Sequence, residues 1–103
     1  MPKLYIYLGI AIFFYSNEHE PIHIHGGCAN NSRLCKAEII TSNGKVSSIK
    51  FKNLAGNKGL SPDELANFQE FVNAKAAEIV EKWAEAFLWH KNLKCQVITQ
   101  KVK

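Results

Sequence analysis

His19, His23 and His25 stand close together in Asn17-Glu18-His19-Glu20-Pro21-Ile22-His23-Ile24-His25, and imidazole is the side chain that both titrates near neutral pH and ligates metals. In a strand beginning at Ile22 the side chains alternate, so His23 and His25 project from one face and Ile22 and Ile24 from the other. His19 precedes Pro21 in the turn leading into that strand, where a bend can bring a third imidazole to the pair. Glu18 and Glu20 flank it and could orient a ring or raise its basicity.

Three chemistries fit this spacing. Neutral imidazoles of His19, His23 and His25, with water at an open position, would bind zinc or another divalent metal, since His-x-His on a strand presents two nitrogens to one ion. A pair of these histidines in different protonation states could act as general acid and general base, as cleavage of a phosphodiester beside a 2′-hydroxyl requires, with Lys50 or Lys52 steadying the phosphate. Hydrogen bonds that lock the turn to neighbouring strands would need neither metal nor substrate. His90 falls at the end of a helical pattern, where the helix dipole favours it.

To hold such a site the chain must build a sheet. Residues 4–15, rich in Ile, Phe and Tyr, read as one central strand covered on both faces, with Gly9 at a bulge or a close contact. Residues 16–20 are polar and Pro21 cannot donate to a ladder, so a turn is expected before a strand over 22–28. Residues 34–41 and 45–52 pattern as two strands joined through Ser42-Asn43-Gly44. A two-residue Asn43-Gly44 turn would set Ile39 opposite Ser48 and Ala37 opposite Lys50, mixing apolar with charged groups. A three-residue loop with Gly44 in the left-handed region instead pairs Ala37 with Ile49, Cys35 with Phe51, Glu38 with Ser48 and Lys36 with Lys50, and is expected for that cleaner separation.

Residues 53–60, with Gly56 and Gly59, read as a loop. Ser61-Pro62-Asp63-Glu64 then combines a capping hydroxyl, a proline suited to the first helical position and a glutamate that completes a capping box. Leu65, Phe68, Val72, Ala76, Ile79, Val80, Trp83 and Phe87 recur at spacings of three and four, which predicts a helix running to about Trp89 whose apolar stripe packs on the sheet. The expected fold is α+β: an antiparallel sheet of about four strands, to which residues 95–99 can add a fifth, packed against one long helix.

At 103 residues and 47% hydrophobic composition the chain has material for one core, so residues 1–103 are expected to form a single domain. Its formal net charge of +4 is unevenly spread: between residues 39 and 62 the charged side chains are Lys45, Lys50, Lys52 and Lys58, and beyond residue 85 they are lysines alone. Such stretches serve either as solvated surface or as contacts to the phosphates of RNA or DNA. Cys28, Cys35 and Cys95 form no C-x-x-C pair and are expected to be reduced, core-type thiols. Lys3 and the apolar run after it imitate a signal peptide, but no small-x-small site follows and the run is too short to span a membrane. A cytoplasmic location is expected, with no membrane partner. An uncovered sheet edge would allow a homodimer or a strand-adding partner.

The stretch from Phe13 to His25 resembles the signature of a family of short bacterial proteins, the domain of unknown function numbered 4160. That pattern is an apolar strand, Asn-Asp/Glu-His-x-Pro-x-His-x-His, a Gly-containing turn between two strands, and a helix carrying a Trp. Asn17, Glu18, His19, Pro21, His23 and His25 match it, with Gly44 in the turn and Trp83 in the helix, and the resemblance runs to about residue 90. It differs at Ile22, where the pattern usually has a second proline, and in a longer segment over 28–34 and a longer tail after Asn92. The resemblance implies a cytoplasmic bacterial protein, often encoded beside another small protein in an arrangement similar to toxin–antitoxin pairs or on mobile elements; it implies no particular activity. Two expectations follow. One is a component of such a module that binds or cleaves nucleic acid, with His19, His23 and His25 at the site and Lys50 and Lys52 on the phosphates. The other is a non-enzymatic metal-binding or protein-interaction module in which the same histidines are ligands or structural groups.

Overall fold

The apolar run of residues 4–15 folds back on itself. In the computed structural model, which describes residues 3–14, 22–28, 33–53, 58–87, 89 and 95–102, it forms two antiparallel strands, β1 (Lys3–Tyr7) and β2 (Ile10–Phe14). Leu8 and Gly9 between them both have positive φ, 50° and 84°. Hairpin turns of that kind twist in the sense the paired strands require. The single strand expected here is thus a hairpin, and Gly9 marks its turn rather than a bulge.

The remaining described elements are β3 (Ile22–Cys28), β4 (Arg33–Ser42), β5 (Lys45–Asn53), α1 (Pro62–Phe87) and β6 (Gln96–Ile98). They make a sheet of order β5-β4-β3-β2-β1-β6, antiparallel from β1 to β5, with β6 parallel to β1 through Tyr5↔Gln96 and Tyr7↔Ile98. The described sheet is therefore six-stranded and mixed where about four antiparallel strands were expected. Division of the first strand and addition of the last account for the difference.

The β4–β5 register also departs from expectation. Asn43 and Gly44, at φ 53° and 78°, form a two-residue turn that pairs Ser42 with Lys45 and Thr41 with Val46. Ser47 then has no opposite number, and beyond this bulge Ile40 faces Ser48, Ile39 faces Ile49, Ala37 faces Phe51 and Glu38 faces Lys50. One extra residue restores the separation of apolar from charged side chains that an unbulged two-residue turn would have destroyed. Cys35, Ala37, Ile39, Ile49 and Phe51 all join the core as their pattern requires.

Helix α1 starts at its capping box. The Ser61 backbone N–H donates to Glu64 Oε1 at 2.9 Å and the Glu64 N–H donates to Ser61 Oγ at 3.3 Å. Arg33, at the start of β4, grips the same carboxylate with Nη2 at 2.6 Å from Oε2 and Nε at 3.2 Å from Oε1. The guanidinium, followed by the Ser61 N–H, holds the Glu64 carboxyl down to about 2. Ser61→Ala removes the Oγ that accepts from the Glu64 N–H and is expected to destabilise the fold by about 1 kcal/mol, read as a lower midpoint in chemical denaturation.

The face of α1 that meets the sheet buries Phe68, Phe71, Val72, Ala76, Ile79 and Trp83. Phe71, absent from the predicted stripe, lies 4.7 Å from the Tyr5 ring and 4.5 Å from the Tyr7 ring. At Gly26 the helix comes so close that a Cβ there would stand 2.6 Å from Phe68 Cδ1. Cys28 and Cys35 are buried thiols whose pKa burial raises, as expected of core cysteines, whereas Cys95 is exposed. Among the described residues no helix is long and apolar enough to cross a membrane.

Candidate functional site

Strand parity decides which side chains share the face of the sheet opposite α1. Ile22, Ile24 and Gly26 point toward the helix, so His23 and His25 point away from it. The antiparallel ladder extends this into two rows across the strands. One row is Phe13, His25, Lys36 and Lys52; the next is His23, Glu38 and Lys50. His23, His25, Lys50 and Lys52, the described residues expected at the site, therefore come together on one face. His19, Glu18 and Glu20 lie outside the described residues, as does His90.

Glu38 is the hub. Its Oε2 is 3.2 Å from His23 Nε2 and 3.7 Å from Lys36 Nζ, and its Oε1 is 3.2 Å from Lys52 Nζ. Partial burial opposes ionisation of Glu38, but Lys52, with His23 and Lys36, outweighs it and holds the carboxyl below its ordinary range. A carboxylate on a ring nitrogen fixes the orientation of an imidazole, the arrangement used to position a group for proton transfer.

The two histidines sit in different surroundings. His23 keeps 22% of its side-chain surface exposed. His25 is 4% exposed, with its ring 5.6 Å from that of Phe13. Burial, reinforced by the charges of Lys36 and His23, pushes its pKa down to about 4. His25 is thus a neutral imidazole at neutral pH and cannot serve there as the charged general acid.

A metal shared by His19, His23 and His25 requires the undescribed His19. Among the described residues no group of three or more His, Cys, Asp or Glu side chains is placed to hold a metal ion.

Glu38 and Lys36 were not among the residues expected at the site. Their alternation with Ala37 and Ile39 marks them as facing away from the core. Their proximity to His23 depends on the β3–β4 register, which local pattern does not reveal. The expected β4–β5 register also placed Glu38 opposite Ser48 rather than Lys50.

A family model described as a domain of unknown function (DUF4160) matches residues 9–84, from the β1–β2 turn to near the end of α1. No curated protein and no solved structure matches the chain.

Proposed function

The chain belongs to the family of this domain of unknown function, DUF4160, and we propose that it binds nucleic acid as a component of a toxin–antitoxin-like or mobile-element module, holding phosphates on the sheet face opposite α1. The observation that carries this reading is the convergence of Lys36, Lys52 and His23 on the Glu38 carboxylate, with Lys50 opposite Glu38 in the next strand of the same face. Among the described residues, three lysines against one glutamate leave that face positive, as phosphate binding requires. Their side chains come from adjacent strands, so a backbone crossing the strands would meet successive positive groups.

The His23–Glu38 pair favours cleavage as the accompanying chemistry. Oriented by Glu38 and partly open to solvent, His23 is the group to take a proton from a 2′-hydroxyl, whose oxygen bonds to phosphorus as the bond to the 5′-oxygen breaks; water gives that leaving oxygen its proton, and Lys50 or Lys52 is the cation to hold the phosphate. His25 enters as a neutral imidazole behind it.

Binding is tested by fluorescence anisotropy with a labelled single-stranded RNA over a range of salt. Lys50→Ala/Lys52→Ala should weaken binding and flatten the dependence of log K on log salt by roughly 1.4, about 0.7 for each lost phosphate contact on a single strand. No binding by the unaltered protein, or the same slope in the variant, defeats the proposal. His23→Ala should lower any RNA cleavage by about 10²–10⁴-fold while leaving binding largely in place; undiminished cleavage removes His23 from the chemistry.

A further inference from the structure

An edge strand presents unpaired backbone groups, and natural sheets keep such edges short, charged or covered. Strand β5 is nine residues long and is one edge of the described sheet. Lys45, Ser47, Ser48, Lys50 and Lys52 along it are exposed, while Val46, Ile49 and Phe51 are half-buried. Beyond the Ser47 bulge its pairing with β4 runs unbroken from Ser48 to Asn53, so its outer side offers a regular run for another strand.

The side chains restrict what could pair there. Every charged residue of β5 is a lysine. A second copy of β5 laid alongside would bring lysines toward lysines, and like charges across strands are destabilising. The two faces of the strand make different demands. Lys50 and Lys52 lie on the face opposite α1, whereas Ile49 and Phe51 lie on the helix side, where the Phe51 and Phe68 ring centroids are 5.9 Å apart. Since Ile49 and Phe51 are only half-buried, part of their apolar surface is left for a neighbour to cover.

We propose that β5 accepts a strand from a partner protein, one whose residues alternate between acidic and apolar. The acidic side chains lie beside Lys50 and Lys52, the apolar ones extend the layer of Ile49 and Phe51 beneath α1, and backbone hydrogen bonds add the strand to the sheet. This goes beyond nucleic-acid binding and does not rest on it, because the backbone edge of β5 is offered whether or not phosphates are held; the two ligands would share Lys50 and Lys52.

The test uses the full chain, isotopically labelled, titrated with an end-capped eight-residue peptide alternating glutamate with valine or threonine and followed by NMR. Saturable binding is expected, with amide shifts concentrated in Lys45–Asn53. N-methylation of the peptide at alternate residues, which removes backbone donors and leaves charge unchanged, should abolish binding to the unaltered protein. Lys50→Glu/Lys52→Glu should weaken it by roughly tenfold or more, and a peptide with lysine in place of glutamate should bind that variant better than it binds the unaltered protein. Absence of saturable binding, shifts confined to β6, or binding indifferent to N-methylation would overturn the proposal; the last would mean ion pairing with the face alone.

Discussion

Phe71→Ala is expected to lower the unfolding free energy by about 3–5 kcal/mol in a urea titration, the range for removing a buried aromatic ring and leaving its space unfilled. Phe71 is fully buried and its ring packs against those of both Tyr5 and Tyr7. It therefore joins α1 to a strand that stands four places from β5 in the sheet. Small domains hold roughly 5–15 kcal/mol in all, so this one truncation should leave the fold marginal. Phe87→Ala supplies the comparison, because Phe87 is only half-buried near the other end of the helix, against Phe14 and Trp83. If both variants lose the same stability, the ring packing at Phe71 is not the centre of the helix–sheet contact.

Stability should fall by about 3 kcal/mol between pH 6.5 and pH 4 on account of His25 alone. The sign follows from proton counting. Unfolded, His25 binds a proton below its ordinary value of 6.5; folded, it does so only near 4. Between those values the unfolded chain carries more protons, so acid draws the equilibrium toward it. Stabilisation is fully present above 6.5 and lost as pH falls through about 4. Glu38 and Glu64 behave as depressed carboxyls, and their contributions fade only below 4.5, a lower window. Urea titrations at half-unit steps of pH should therefore show His25→Gln flattening the upper slope and leaving the lower one. A wild-type protein equally stable at pH 6.5 and pH 4, or a variant with the original slope, would show that His25 is not held neutral by the fold.

Local patterns were the legible part of this chain. The capping box at Ser61 and Glu64 spans three residues and needs nothing distant, and it forms as its sequence implies. Alternation separates Ile22 and Ile24 from His23 and His25 for the same reason. What escaped detection depends on relations between strands. Pairings of Ala37 with Ile49 or with Phe51 differ by two residues, and such a shift returns every side chain to the same face, so hydrophobic pattern cannot choose between them. The Asn43-Gly44 turn is a strong signal, but the bulge at Ser47 conceals its agreement with the core. In residues 4–15 no polar residue interrupts the run at its turn, and one glycine beside a leucine serves a bulge as well as a hairpin. At the site, the histidine pair could be read from spacing, whereas Glu38 as its partner and the burial of His25 depend on long-range packing.

The order of strands bears on how the chain matures as it is synthesised. From β1 to β5, neighbours in the sheet are neighbours in sequence, so each strand leaving the ribosome meets a partner already made. The layer that covers them arrives last: Phe68, Phe71 and Ile79 belong to α1, which begins only at Pro62. Until then the apolar side of five strands, with Ile12, Phe14, Ile24 and Ile39 on it, stands bare. A nascent chain halted before residue 62 is therefore the species most in need of a chaperone. Protection from aggregation should rise sharply once the helix has cleared the exit tunnel, before β6 returns to pair with β1.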